Sequence, residues 1–418
     1  MGEIENLSPF GGMITVSQIR DGRAYMRNHL SANDYYSESE TVVGHWHGKA
    51  AEILGIEGDK VTPEVFEALR SNRHPGIGEK LTPRSPKVAY HDFVVSAPKS
   101  VSIAAMVGGD DRVTAAFDRC VARAFGRLEE AACVRVRGGD FVRTENVRQT
   151  GNAVAAVYRH DTSRLLDPQL HTHLVFANVT WDEHSERWLA LQPKQMAEES
   201  KKIRGEFYRE LAEECRKLGY GITQEAGTFR IAGIDESLEK RFSQRTLQRE
   251  KFESRYQATF GEAPGKRRVE QFIKDGKGAA TRRFQEEYLA RFSKVPDEKM
   301  VAGFVQDWRS SKMSKAEPDQ VREIQRRRMS PEQARGLDRL VTGAQVKTSP
   351  QTTNSAKPVE RKNRAAHGAQ SKSLAGVRRM KKMMKVNAMI NAHPASLMAI
   401  RLQQLARKTK HGTQRRIR

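Results

Sequence analysis

Apolar residues along this chain follow two kinds of spacing, and the places where one gives way to the other divide it into elements. The first regular pattern begins at Met13-Ile14-Thr15-Val16, so residues 1–12 read as an extension. Gly48–Gly55 and Thr62–Arg70 carry helical spacing, and Pro63 suits a first helical turn. Val88–Val95 alternates and is rich in β-branched and aromatic residues, which predicts a strand broken by Ser96-Ala-Pro-Lys-Ser100. A helix follows from Asp110 to about Ala132. Two more strands are predicted at Asn152–His160 and Leu170–Thr180, joined by a polar connection containing Asp167-Pro168. Trp181–Ala190 reads as a hairpin, and Lys201–Leu218 as an amphipathic helix ended by Gly219. Residues 234–308 are helical and charged, with loops at Gly261–Gly265 and Gly276–Gly278. From about Ser310 the periodicity fades. Thr348–Gln370 has the composition of a linker, and Ser373–Lys410 has helical stretches interrupted at Pro394. Strands and helices mix without regular βαβ alternation. This predicts an α+β domain on a central antiparallel sheet over 13–309, then a largely disordered or partly helical tail over 310–418.

Charge sharpens that division. The net charge of +22 points to a polyanionic partner, nucleic acid before membrane. Arg309 to Arg418 holds 27 Lys and Arg against 6 Asp and Glu, or +21, while residues 1–308 hold 46 against 45, or +1. The basic character therefore sits in the tail, behind a nearly neutral domain. Cys120, Cys133 and Cys215 have no metal-binding or disulfide spacing and read as thiols of a reducing cytoplasm. No stretch approaches the ~18 apolar residues of a membrane helix, and Met1–Gly12 lacks an export pattern, so neither insertion nor export is expected. Gly261-Glu-Ala-Pro-Gly-Lys266 is one residue short of a nucleotide-binding loop and is followed by Arg267, so it is set aside.

The segment richest in chemistry runs from His160 to His173. On a strand, His171 and His173 share a face, and a hairpin-like return brings His160 beside them. Three converging imidazoles make a divalent-metal site with positions left for substrate oxygen. A bare H-x-H pair is more often coincidence; the third histidine at the end of the neighbouring strand reverses that balance. Asp92 stands in an otherwise apolar strand, where a carboxylate is costly unless paired. It either forms a structural bond, orients a ligand histidine, or accepts a proton. Tyr25, Tyr35 and Tyr36 cluster near the start of the domain. A phenol attacks phosphorus only when charge is withdrawn from the phosphate and its proton is taken, and most such tyrosines simply fill a core.

Taken in order, Asn33-Asp-Tyr-Tyr36, Trp46-His-Gly-Lys-Ala-Ala-Glu52, Ser96-Ala-Pro-Lys-Ser-Val-Ser102, Thr150-Gly-Asn152 and Pro168-Gln-Leu-His-Thr-His173 resemble the relaxase domain of the MobF class, among the HUH endonucleases. Phe242-Ser-Gln-Arg-Thr246 and Thr281-Arg-Arg283 fit more weakly, and the resemblance spans roughly Met13 to Trp308. It implies a palm-like antiparallel sheet with helices outside and a helical fingers region over about 234–308. It also implies that His160, His171 and His173 hold Mg²⁺ or Mn²⁺, and that Asp92 helps activate the tyrosine. Tyr25 would make the first cut and a 5′-phosphotyrosyl bond, with Tyr35 and Tyr36 serving later strand transfer. The class usually pairs tyrosines at the first position, whereas Tyr25 is followed by Met26. The substrate would be single-stranded DNA at a plasmid or mobile-element transfer origin, and the setting a bacterial cytoplasm, with passage to recipient cells allowed for. Accessory relaxosome proteins and a coupling protein are implied partners, as is a helicase in trans, since this chain shows no motor segment. A rolling-circle initiator would place its tyrosine after the histidine pair, and a non-catalytic basic accessory protein would not need the triad.

Overall fold

Alternation of side chains across a pleated strand decides what each face of the sheet must meet. The computed structural model describes residues 14–19, 44–136, 147–163, 165–275, 277–306 and 318–348. In its first half the elements are β1 (Ile14–Ile19), β2 (His45–His47), α1 (Lys49–Leu54), α2 (Pro63–Arg70), β3 (Tyr90–Ser96) and α3 (Lys99–Ser102). A π-helical turn, Ile103–Val107, leads to α4 (Asp111–Glu130), β4 (Cys133–Arg135), β5 (Val147–Gln149), β6 (Ala155–Thr162) and β7 (Pro168–Ala177). Next come β8 (Thr180–Asp182), β9 (Arg187–Leu189), α5 (Pro193–Lys217), β10 (Ile222–Glu225) and β11 (Thr228–Ile231). Short helices finish the described chain: α6 (Glu236–Arg241), α7 (Gln244–Phe260), α8 (Lys266–Lys274), α9 (Lys277–Phe292), α10 (Glu298–Phe304), α11 (Pro318–Arg327) and α12 (Pro331–Thr348).

Five strands form one antiparallel sheet in the order β1-β3-β7-β6-β2. One face presents Ile14, Phe93, Val95, Ala155, Leu174 and Phe176 to a core shared with α4 and α5. Aromatic contacts set that packing: Phe125 of α4 stacks on Phe176 at 5.5 Å between ring centres, and Phe117 meets Phe207 of α5 edge-on at 5.9 Å. Burying each such ring contributes roughly 2–3 kcal/mol. Outside, Arg119, Arg123 and Arg127 of α4 pair with Glu214, Glu210 and Glu206 of α5. The helix starts follow their sequence signals. Thr62 caps α2 by accepting from the Val65 N–H with Pro63 in the first turn, and Asp110 caps α4 by accepting from the Arg112 N–H.

The opposite sheet face is apolar at one end and polar at the other. Trp46 and Tyr90 are fully buried there beneath Phe66 of α2, and the Tyr90 hydroxyl donates to the Phe66 carbonyl at 2.6 Å. Helices α7–α10 carry a separate aromatic core of Phe252, Tyr256, Phe272, Phe284 and Phe304. The described residues of Met1–Ala51 and Glu57–Pro350 form one compact unit. The second unit is described only over Glu52–Ile56, the end of α1 with the turn at Gly55.

One expectation is corrected. The fading periodicity after Ser310 placed the end of the folded domain near 309, but α11 and α12 belong to it. Met329, Leu337, Val341 and Ala344 join the core under the sheet. A Cβ on Gly219 would lie 2.6 Å from the Ala344 carbonyl oxygen, so the helix rests directly on that turn. These apolar residues are diluted by arginines whose aliphatic stems and hydrogen bonds also serve the contact, and a hydropathy pattern does not register them. Of the predicted tail, residues 310–317 and 349–418 lie outside the described residues. Among the described residues no helix is long and apolar enough to cross a membrane, and the three cysteines are buried free thiols.

Candidate functional site

The polar end of the sheet gathers the histidines because of register. His160 of β6 is paired directly with His171 of β7, and His173, two residues on, faces Tyr158 of β6 and Val94 of β3. All three histidines are buried, and their ring centres form a near-equilateral triangle with sides of 5.2, 5.3 and 5.3 Å. Asp92 lies on the same face, one strand over. Its two carboxylate oxygens accept from His173 Nδ1 at 2.9 and 3.1 Å. Of the readings left open for Asp92, this contact is the one that orients a histidine.

Two of the rings have their outward nitrogen fixed. His171 Nδ1 donates to the Gln169 carbonyl at 2.8 Å and His173 Nδ1 donates to Asp92, which leaves each Nε2 with its lone pair. Burial, then the neighbouring His173, pushes the His171 pKa down to about 3, so its ring is neutral and able to ligate at any ordinary pH. Imidazoles bound through one nitrogen at about 2.0–2.1 Å, with roughly tetrahedral angles, stand about 5 Å apart between ring centres. The observed triangle has that spacing. Among the described residues no group of three or more His, Cys, Asp and Glu side chains is placed, as it stands, to hold a metal ion. What favours a metal there is donor type, ring spacing and a carboxylate behind one histidine, a common support for metal ligands.

The motif Ser96-Ala-Pro-Lys-Ser-Val-Ser102 proves to be a support for β7. Ala97 N donates to the Leu170 carbonyl at 2.9 Å, Leu170 N donates to Ser102 Oγ at 3.0 Å, and Lys99 Nζ donates to the Pro168 carbonyl at 3.0 Å. Ser100 Oγ accepts from the Ile231 N–H at 3.0 Å, tying β11 to the same turn. Burial lowers the Lys99 pKa, opposed by the charges of Asp167 and Glu239. Asn152 pins the approach to β6 by accepting from Thr180 Oγ1 and the Trp181 N–H, both at 2.9 Å. The task of these motifs is not legible in one dimension, because a run of Ser and Lys after a strand does not reveal which backbone it will reach. Tyr25, Tyr35 and Tyr36 lie outside the described residues.

A five-stranded antiparallel palm with this histidine cluster can be compared with known proteins. A family model described as TrwC relaxase matches residues 19–331. The chain belongs to the TrwC relaxase family. Multifunctional conjugation protein TraI of Escherichia coli strain K12 is 36% identical to it over 243 residues, 53% of this chain but 13% of TraI. The chain thus spans a small part of the length of that relative. Among solved structures, conjugative relaxase TrwC in complex with OriT DNA in a metal-free form matches with a TM-score of 0.55 at 27% identity, covering 78% of this chain and 98% of that one. A metal-bound TrwC complex with OriT DNA matches with a TM-score of 0.54 at 28% identity and the same coverage. The α+β relaxase fold, and the MobF-class assignment implied by the sequence motifs, are therefore established for this chain.

Proposed function

We propose that this chain is a site- and strand-specific relaxase domain that nicks single-stranded DNA at the transfer origin of a plasmid or mobile element, for conjugative transfer. The observation that carries this reading is the buried triangle of His160, His171 and His173 with Asp92 behind His173, on the fold of relaxases that were solved with OriT DNA. In this reading the three imidazoles hold one divalent ion, Mg²⁺ or Mn²⁺. An ion held there by these three residues would supply Lewis-acid withdrawal of negative charge from the scissile phosphate. His171 and His173 offer Nε2 lone pairs, while Gln169 and Asp92 keep their rings from rotating or changing tautomer.

Tyr25 supplies the nucleophile. Its phenolic oxygen gives up a proton and bonds to phosphorus, the bond from phosphorus to the 3′-oxygen breaks, and that oxygen leaves as a free 3′-hydroxyl after taking a proton. The DNA 5′ end remains on the enzyme as a phosphotyrosine. Tyr35 and Tyr36 serve the later strand transfer, in which the reverse exchange frees the enzyme. Accessory relaxosome proteins, a coupling protein and a helicase are the proposed partners of a cytoplasmic enzyme that passes with DNA to recipient cells.

The test is incubation with single-stranded oligonucleotides covering the element's own transfer origin, with Mg²⁺ or Mn²⁺ and with EDTA. Cleavage that needs the ion and leaves protein on the 5′ end is the expected result. Cleavage that leaves protein on the 3′ end, or none on either, rules the reading out.

A further inference from the structure

The turn between the two histidine strands is strained, and it is held by residues from the far end of the folded chain. After β6 ends at Thr162, Ser163 N donates to the Asp167 carbonyl and Leu166 N donates to the Ser163 carbonyl, both at 2.9 Å. Ser163 Oγ accepts from the N–H groups of Leu165 and Asp167, each at 3.2 Å. Leu166 adopts φ 58°, a left-handed conformation unusual for leucine, and is buried. Such strain persists where surrounding contacts over-determine the backbone.

Those contacts come from α11 and the residue that follows it. Gln325, itself only 1% exposed, donates from Nε2 to the Leu166 carbonyl at 3.0 Å. Arg328 donates from Nη2 to the Leu165 carbonyl and from Nη1 to Asp167 Oδ1, both at 3.0 Å. The second Asp167 oxygen accepts from the N–H of Gln244, at the start of α7, at 2.9 Å. Arg241 donates to the Arg328 carbonyl at 2.9 Å, so the brace is fixed from behind. His160 lies just before this turn and His171 just after it. Whatever holds the turn therefore holds the relative placement of two rings of the triangle.

We propose that Gln325 and Arg328 are positioning residues for the histidine site. They clamp the Leu165–Asp167 turn so that His160 and His171 stay in register for metal binding. The proposal rests on the metal reading of the histidines and adds to it a pair of residues more than 150 positions away in sequence. A site held loosely by even a fraction of an ångström loses much of its preorganisation, and outer supports of metal ligands typically matter 10–100-fold in affinity or activity.

The experiment uses the full chain and two variants. Q325L keeps a buried side chain of similar size and touches no charge, while R328M keeps the stem and removes the guanidinium. Hydrogen exchange, Mn²⁺ titration by calorimetry, and nicking kinetics on an origin oligonucleotide are measured on each. Exchange is expected to accelerate at the amides of Leu165–Asp167, Gln169 and Leu170 but not at Phe93 or Phe207. Mn²⁺ affinity should weaken about 10–100-fold, with kcat recovering as Mn²⁺ is raised and KM for the oligonucleotide unchanged. Unchanged exchange and Mn²⁺ affinity in Q325L overturn the proposal, as does acceleration spread evenly over the sheet. Local acceleration in a protein whose wild type takes up no Mn²⁺ supports the brace and overturns the metal reading of the histidines instead.

Discussion

Asp92→Asn separates two roles that the sequence alone left open. In the structure the carboxylate holds His173 Nδ1 at 2.9 and 3.1 Å, with both residues buried. A charge-assisted bond of this kind contributes about 1.5–3 kcal/mol, against about 0.5–1.5 for a neutral one. Asparagine therefore loses on the order of 1–1.5 kcal/mol even when its carboxamide oxygen still accepts from Nδ1. If the amide turns its NH₂ toward the ring instead, the imidazole must carry its proton on Nε2 and the ligating lone pair is gone. Together these effects predict a 10–100-fold loss of Mn²⁺ affinity, or about 1.4–2.8 kcal/mol. The assay is nicking of a saturating origin oligonucleotide across a Mn²⁺ series, with affinity measured separately by calorimetry. Action through His173 shifts the curve to higher Mn²⁺ and lets kcat recover at the plateau. A general base for the tyrosine would instead leave kcat depressed at every Mn²⁺ concentration with affinity unchanged, and that result would refute the orienting role.

Alanine at His160, His171 or His173 should lower cleavage by orders of magnitude while circular dichroism stays that of the folded protein; a triple variant that nicks at the wild-type rate in EDTA sinks the metal site. Tyr25→Phe should abolish the covalent adduct in the first cut, and peptide mapping that finds the wild-type adduct on Tyr35 or Tyr36 would reassign the nucleophile. His91 faces the apolar side of the sheet, its Nε2 without a hydrogen-bond partner among the described residues, and burial lowers its pKa from 6.5 to about 4. A depressed histidine favours folding while neutral, so its contribution is present above pH 6.5 and lost as pH falls toward 4, by about 2 kcal/mol between pH 7.5 and 5. His91→Leu should be less acid-sensitive by that amount in urea titrations at the two pH values, and equal sensitivity would contradict the burial argument.

Three of the five palm strands, β3, β6 and β7, were readable from their apolar spacing, while the short β2 (His45–His47) left no signal: Asp92 stood out within an apolar alternation, and the His171-Thr-His173 spacing already implied a shared face. Adding His160 required only that the two strands return on each other, which the Asp167-Pro168 connection suggested. What pattern reading missed is what pattern reading does not encode. The helix α5 begins at Pro193 rather than near Lys201, because its first two turns are polar and only Met196 and Ser200 are buried there. The hairpin of β10 and β11 is too short for alternation to register. Lys99, Ser102, Asp167, Gln325 and Arg328 act through backbone carbonyls and amides distant in sequence. A lysine or arginine that supports a buried turn looks, in one dimension, like any residue of a solvated or DNA-binding surface.

That ambiguity bears most on the basic end of the chain. Residues 349–418 hold 17 Lys and Arg against one acidic residue, Glu360, so the net charge there is +16. The arginines in and just after α11 do a different job, since Arg328 is committed to Asp167 and Arg326 donates to the Val107 carbonyl at 3.2 Å. Cutting at 309 would strip Met329, Leu337, Val341 and Ala344 from the core along with the charge, and any loss of DNA binding would be confounded with unfolding. Cutting after Thr348 leaves the described helices in place and removes only the one-sign block. If that block meets DNA, each phosphate it neutralises adds roughly 0.7 to the magnitude of the log–log salt slope for a single strand, so even four contacts amount to nearly 3. The 1–348 chain should therefore bind all single-stranded sequences more weakly at low salt, with a flatter salt dependence, and still nick a saturating origin oligonucleotide at the wild-type rate. Anisotropy titrations of both proteins at several salt concentrations measure this directly. Equal slopes would mean that the tail does not touch DNA, and that the 1–348 chain, with a net charge of +6, binds its origin through local contacts alone.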